Sequence, residues 1–457
     1  VTDAGASAEA LLAQQARRES NARTYPRSLP LAIDRAEGAI LEDVDGNEYV
    51  DCLAGAGTLA LGHNHPAVVE RMEDLLERDR AVHTLDLTTP IKERFVDRLL
   101  ESLPDEFAET AKVQFCSPAG TDAVEAALKL VKTATDNRSM LAFQGAYHGM
   151  THGALGLMGD TEPKEAIPGL MSDVHHLPYP HAYRCPFGLG GEDCWRTSAE
   201  YVERTLSNPD SGIVDPAGMI LEPVQGEGGA VPAPDEWLRE MRRVTRERDI
   251  PLIVDEIQTG LGRTGELYAV EHADVVPDVM TLSKAVGGGL PLSVVVYDES
   301  LDVWEPGVHA GTFRGNQLGM AAGAATIEYV LENDLEAHAA EMGDRLRGHL
   351  EETAATFEAV GDVRGRGLML GMELVDPDGV PDSLGHYPAD GDLASAVQAA
   401  AFDRGLVVET GGRRGSVVRF LPPLTISASR IDTVGEIVHE SVREAVAADR
   451  DLTEAAA

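Results

Sequence analysis

The sequence predicts an α/β protein. A large domain with a mostly parallel central sheet flanked by helices is joined by a smaller α+β domain, built from the N- and C-terminal segments. Three observations predict it. From about residue 110, short apolar strand-like runs alternate with amphipathic helical runs, the signature of strand–helix–strand units. After about residue 320 that alternation gives way to a helix-rich tail. The opening of the chain holds a polar arm and a hairpin instead of the repeat. The expected divisions are 1–85 and 326–457 for the smaller domain and 86–325 for the large one.

The elements follow in order. Residues 1–30 are polar and Ala-rich, the composition of a helix and a loose arm. AIDRAEGAILEDVDGNEYVDCLAG reads as a hairpin with Asp45-Gly46 at its turn. KVQFC is a strand leading into the helix DAVEAALKLVKTAT, whose Val124, Leu128 and Val131 share one face. Asp122 and Glu125 suit the positive end of that helix, and Lys129 and Lys132 its negative end. SMLAFQG, AGMILEP, IPLIVDE and DVMTLSK are strands, with the helix EWLREMRRVTRERD after AGMILEP. The helix AAGAATIEYVLEN leads into a tail containing GLMLGMEL, GLVVET and VVRFLPPL.

The chain has 457 residues, 43% of them hydrophobic, enough for a large core. Lys+Arg total 38 against 77 Asp+Glu, a formal charge of −39 that repels nucleic acid and anionic membrane. Arginine supplies nearly all the cations; the lysines are Lys92, Lys112, Lys129, Lys132, Lys164 and Lys284. This balance suggests a halophile's protein, because molar salt shortens the Debye length to about 3 Å and relieves self-repulsion. No run of apolar residues is long enough to span a membrane, and the N-terminus lacks a basic start followed by an apolar block. A cytoplasmic protein is expected. Cys52, Cys116, Cys185 and Cys194 are too few for a disulfide framework. Cys185 and Cys194 lie near His175, His176 and His181, but the spacings match no standard zinc pattern, so no metal is expected.

Lys284, in TLSKAVGGGLPLS, follows an apolar run and precedes three glycines. Burial at a strand end keeps a lysine amine neutral and nucleophilic. That is the chemistry of a Schiff-base lysine, whose usual partner is pyridoxal phosphate. Asp255 ends the strand of IPLIVDE, where side chains face the ligand crevice of such sheets. A carboxylate there can pair with a protonated pyridine nitrogen, or simply cap the next turn. Gln258 lies close enough in sequence to reach the ring's phenolic oxygen. Gly120 and Thr121 open a helix whose N–H groups could hold a phosphate. Tyr147 and His148, between glycines, suggest a lid over a planar cofactor. Thr312 precedes a helix and would suit another phosphate contact. Glu222 and Glu227 in LEPVQGEGG and Arg419 in VVRFLPPLTI form a candidate buried Glu–Arg set; read alone, they are loop glutamates and a strand arginine.

Together, GTDAVEAALKL, GAYHG, LEPVQGEGG, DEIQTGLGRTG, TLSKAVGGGLP, GTFRGNQ and VVRFLPPLTI resemble, in order and spacing, the class III aminotransferases, fold-type I enzymes that use pyridoxal phosphate. The resemblance spans about residues 35–435. QFCSPAGTDAVEAALKL, YHGMTHGALGLMG and PYPHAYRCPFGLGG resemble the subgroup that moves the 4-amino group of diaminobutyrate to 2-oxoglutarate. The resemblance implies that Lys284 carries the cofactor, Asp255 faces its pyridine nitrogen, Gln258 its phenolic oxygen, and Tyr147 stacks on it. His148 and Glu222 would lie in the same cofactor site. Gly120 and Thr121 would bind the phosphate through backbone and hydroxyl. Thr312 would reach the neighbouring subunit's phosphate, implying a homodimer with interfacial sites, and dimers could pair into tetramers. Glu227 and Arg419 resemble the family's switch pair: Glu227 masks Arg419 for an ω-amine and releases it for the α-carboxylate of 2-oxoglutarate. Related 4-aminobutyrate enzymes carry an arginine where this chain has Met150, which argues against 4-aminobutyrate as donor. Ornithine transamination and an intramolecular aminomutase are the rival activities.

Overall fold

In the computed structural model, which describes residues 6–456, the apolar runs of the middle of the chain form one seven-stranded sheet. Its order is Ala111–Phe115, Val294–Asp298, Val279–Leu282, Leu252–Asp255, Pro216–Leu221, Ser139–Phe143 and Val174–Leu177. Neighbours are parallel except for Val294–Asp298, which runs against both of its own. The sheet is mostly parallel, as the alternation of strands and helices predicts.

Both faces of this sheet are covered, which is why its strands read as continuous apolar runs. Successive side chains point to opposite sides. Met219, Leu221, Val254 and Met280 join the larger core with Trp237 and Met241 of helix Asp235–Arg246. Ile220, Ile253 and Val279 join a second core with Val124, Leu128 and Val131 of helix Gly120–Thr135. The Ala-rich helix Gln317–Glu332 lies directly on the turn that carries Lys284. A Cβ at Gly323 would fall 2.1 Å from the Val286 carbonyl oxygen, so only glycine permits that approach.

Two four-stranded sheets and a two-stranded ribbon, Val224–Gln225 with Val231–Pro232, complete the fold. One is antiparallel, in the order Val360–Arg366, Met369–Leu374, Val417–Phe420 and Glu409–Gly411, and helices Leu335–Thr356 and Gly391–Phe402 pack on it. The other joins Ile33–Glu37, Ile40–Asp43 and Glu48–Asp51 to Leu406–Val407, which pairs in parallel with Glu48–Asp51. GLVVET therefore divides, its start pairing with the N-terminal strands and its end with Val417–Phe420. The N-terminal segment holds one strand more than the expected single hairpin. A first turn at Gly38 (φ +56°) precedes the one at Gly46 (φ +85°), and its strands are too short to show alternation on their own.

Candidate active site

The sheet ends its central strands at one crevice. Asp255 is the last residue of Leu252–Asp255, and Lys284 follows Val279–Leu282 by two positions. The Lys284 backbone is left-handed (φ +51°), and Gly288 after it also has positive φ. A non-glycine residue held there stores strain, a feature that clusters at functional sites. Burial lowers the Lys284 pKa more than Glu227 can restore it, with Arg419 adding to the fall. The amine makes no hydrogen bond or ion pair among the described residues.

A cavity of about 300 Å³ is lined by Gly120, Thr121, Tyr147, His148, Met150, Glu222, Glu227, Asp255, Gln258 and Lys284, among others. These residues come from five separate segments of the chain, and the crevice brings them together. Thr312 is not among them. Its carbonyl oxygen lies 2.7 Å from a His83 ring nitrogen, and the neighbouring Phe313 ring is exposed.

His148 does not stand beside Tyr147 as part of a lid. Its ring is buried, with Nδ1 2.7 Å from Asp255 Oδ2 and Nε2 lacking a partner among the described residues. Burial disfavours the imidazolium, but the hydrogen bond and charge of Asp255, aided by Glu222, win and raise its pKa. Asp255 is steadied further by Ile257 N–H, which donates to Oδ1 at 3.1 Å. Glu222 accepts from the N–H groups of Tyr147 (2.8 Å) and Gly226 (2.9 Å), tying together the two loops that wall the cavity. Burial pushes its carboxyl up to about 7; His148 opposes this and Asp255 adds to it.

At the mouth of helix Gly120–Thr135, Asp122 accepts from Ala119 N–H at 3.0 Å. The first N–H groups of a helix lack intrahelical partners and attract anions. The Thr121 hydroxyl is engaged with Thr151 Oγ1 at 2.7 Å, which leaves the backbone as the freer anion contact. Gly149 presses on Thr121, where a Cβ would sit 2.4 Å from the threonine Cβ. Glu125 does not serve its own helix end. One turn in, it reaches the start of helix His152–Leu157 and accepts from Gly153 N–H at 2.8 Å and Thr151 Oγ1 at 2.6 Å. Gln258 donates from Nε2 to the Ala56 carbonyl at 3.2 Å, while its Oε1 is buried without a partner.

Glu227 and Arg419 do meet, but not as a pair. Arg419 Nη2 donates to Glu227 Oε1 at 2.8 Å and to Glu409 Oε2 at 2.6 Å, and Tyr25 OH donates to Glu409 Oε1 at 3.2 Å. Burial would raise Glu227, yet Arg419 outweighs it and holds it low. For Glu409, burial wins and its pKa rises despite the arginine. The sequence reading missed Glu409 and Tyr25. Its available signal was register: Glu409 stands directly opposite Arg419 across an antiparallel pair. Arg419 is 1% exposed, and its Nε and Nη1 have no partner among the described residues.

A family model described as Aminotransferase class-III matches residues 21–442. The chain belongs to the class III aminotransferases. A curated diaminobutyrate–2-oxoglutarate aminotransferase of Rhizobium meliloti is 57% identical over 423 residues, covering 93% of this chain and 90% of the relative. Another, of Haemophilus influenzae, is 46% identical, covering 96% of each. Among solved structures, an (S)-enantioselective omega-transaminase from Thermomicrobium roseum superposes with a TM-score of 0.85 at 27% identity, covering 96% of this chain and 99% of the other. The ornithine aminotransferase of Toxoplasma gondii gives 0.82 at 25% identity, covering 97% and 96%.

Class III aminotransferases use pyridoxal phosphate, and the cavity fits it. A largely buried lysine without a partner, a buried carboxylate, an orphaned Gln258 Oε1 and a glycine-led helix N-terminus converge there. Among the described residues no group of His, Cys, Asp and Glu could hold a metal ion.

Proposed function

We propose that this enzyme moves the 4-amino group of L-2,4-diaminobutyrate to 2-oxoglutarate, forming aspartate 4-semialdehyde and glutamate by alternating half-reactions. The observation that carries the reading is the meeting of Lys284, Asp255 and the Glu227–Arg419–Glu409 cluster at one crevice. The names of the relatives above support the substrate pair.

Pyridoxal phosphate, when bound, supplies an electron sink for the carbanion left by C–H cleavage. Lys284 would hold the cofactor, and its amine, once free, would take the proton from the substrate carbon as general base. Burial lowers its pKa, which favours the neutral amine that both tasks need. Asp255, held by His148, would pair with the pyridine nitrogen. Gln258 would address the phenolic oxygen, Tyr147 would cover the ring, and Gly120 and Thr121 would hold the phosphate. Glu222 positions the Tyr147 loop. Arg419 accepts the α-carboxylate of the 2-oxo acid when Glu227 withdraws, and is masked by Glu227 while the ω-amine reacts.

Thr312 would complete the site of a second copy, making a homodimer the working unit. Val82, Leu85, Leu87, Val308 and Phe313 are exposed around it, an apolar surface that supports this assembly. The charge of −39 supports a salt-requiring protein. Among the described residues no helix is long and apolar enough to cross a membrane.

A single-turnover spectrum tests the reading. L-2,4-diaminobutyrate added without a 2-oxo acid should bleach the yellow cofactor band, and 2-oxoglutarate should restore it. Bleaching by ornithine or 4-aminobutyrate but not by diaminobutyrate would refute the substrate. A protein that never binds the cofactor would refute the role of Lys284.

A further inference from the structure

Beside the Lys284 cavity lies a second, larger one of about 1040 Å³, and Tyr147 and Glu227 form part of the wall of both. Four arginines line it: Arg184, Arg364, Arg413 and Arg414. Two of them are spent on the fold. Arg184 donates to Glu373 Oε1 at 2.8 Å, and Arg364 to Glu373 Oε2 at 2.7 Å and Asp362 at 2.9 Å. Arg413 and Arg414 are different. Both are exposed at the cavity wall, and their side chains have neither ion pair nor hydrogen bond among the described residues. The remaining carboxylates of the lining are Asp160 and Glu162, exposed at the rim, and Glu227, already held by Arg419.

The turn that carries the two arginines is tied to the reaction site. It links Glu409–Gly411 to Val417–Phe420, the strands of Glu409 and Arg419. Gly412 N–H donates to the Glu227 carbonyl oxygen at 2.8 Å. A Cβ at Gly411 would lie 2.9 Å from Arg419 Nε, and Arg414 is held in the left-handed region (φ +57°). His181 adds a ring that lines the same cavity and whose Nε2 has no partner among the described residues. Met150, which lines the Lys284 cavity and is 55% exposed, offers no charge.

The two proposed substrates share one geometric fact. In diaminobutyrate the reacting carbon, C4, stands three bonds from the carboxylate carbon. In 2-oxoglutarate the reacting carbon, C2, stands three bonds from the distal carboxylate carbon. With the reacting carbon at Lys284, both therefore carry a carboxylate at the same reach. Resting on the function proposed above, we infer that this second cavity is the subsite for that remote carboxylate, and that Arg413 is the side chain that binds it. A cation without a partner, on a turn fixed to Glu227, is the donor such an anion needs. The same subsite would select against donors that lack a remote carboxylate.

The test uses the cofactor-loaded enzyme and two unreactive probes, glutarate and butyrate, with dissociation constants from calorimetry. Glutarate spans Arg419 and Arg413, whereas butyrate has only one carboxylate to place. In R413Q, glutarate should bind about tenfold more weakly, the scale of one charge-assisted contact, with butyrate within about twofold. R413K should recover much of the difference. In turnover, KM for diaminobutyrate and 2-oxoglutarate should both rise with less change in kcat. Unchanged glutarate binding in R413Q, in an enzyme that transaminates diaminobutyrate, would overturn the inference. So would a loss that follows R414Q instead. If the wild type ignores diaminobutyrate while R413Q still weakens glutarate, the substrate assignment fails and the subsite stands.

Discussion

Replacing Glu227 by glutamine should shift this enzyme from its ω-amine donor toward glutamate. Arg419 is buried between Glu227 at 2.8 Å and Glu409 at 2.6 Å. With both carboxylates ionised the cluster carries one net negative charge, which repels an incoming α-carboxylate. E227Q removes that excess while keeping the side chain's size. At about 4 Å and an effective dielectric near 20, one such charge is worth at most ~4 kcal/mol. The Glu227 side chain is 33% exposed, so solvent screens a good part of it. Glu409 also still covers the arginine. About 1 kcal/mol remains, or roughly a fivefold effect. The assay is the pair of half-reactions, followed by cofactor absorbance in stopped flow. The ratio of kcat/KM for glutamate to that for diaminobutyrate should rise at least fivefold, with a lower KM for 2-oxoglutarate. A ratio within twofold of wild type would refute the view that Glu227 gates Arg419.

Three further outcomes are expected. In D255N, His148 loses the partner that raises its pKa, so its NMR titration should move below that of the wild type; an unmoved titration would mean that Asp255 does not set it. Glu256 is 1% exposed and burial pushes its carboxyl from 4.5 up to about 7, so the folded state holds its proton; its stabilising share is complete at low pH and fades as pH rises through about 7. Glutamine mimics the protonated form toward Val270 N–H and Thr259, so denaturant unfolding of E256Q at pH 8 should show a gain of up to about 3 kcal/mol that shrinks by pH 5; parallel pH profiles would refute it. The formal charge of −39 predicts a higher unfolding midpoint in molar KCl than in dilute buffer, and equal midpoints would remove the case for a salt-adapted surface.

The seven-stranded sheet was legible because burial on both faces turns each strand into an apolar run. Lys284 and Asp255 were legible because each interrupts such a run at its end, where side chains meet the crevice. Partnerships were harder to read. Asp255 and His148 are distant in sequence, and nothing local marks a histidine between glycines as a carboxylate's partner rather than a lid. Glu409 follows two buried valines and looks like any strand terminus. Only the pairing register sets it opposite Arg419. The resemblance puts the Thr121 hydroxyl on a phosphate, whereas in the structure it bonds to Thr151, just before helix His152–Leu157.

The N-terminal strands have a consequence for synthesis. Tyr25 and Glu409 meet across 384 residues, and the Thr425 hydroxyl bonds to the Leu61 carbonyl across 364. At roughly 5–20 residues per second, a ribosome needs on the order of 20–80 s to supply the second member of the first contact. Throughout that time Glu48–Asp51 shows an unpaired edge to the cell, since Leu406–Val407 has yet to emerge. The carboxylates around Arg419 are thus among the last contacts to form. A nascent chain can raise its central sheet early, but donor selection arrives only with the final stretch, and until then the N-terminal strand edge is the part in need of a chaperone.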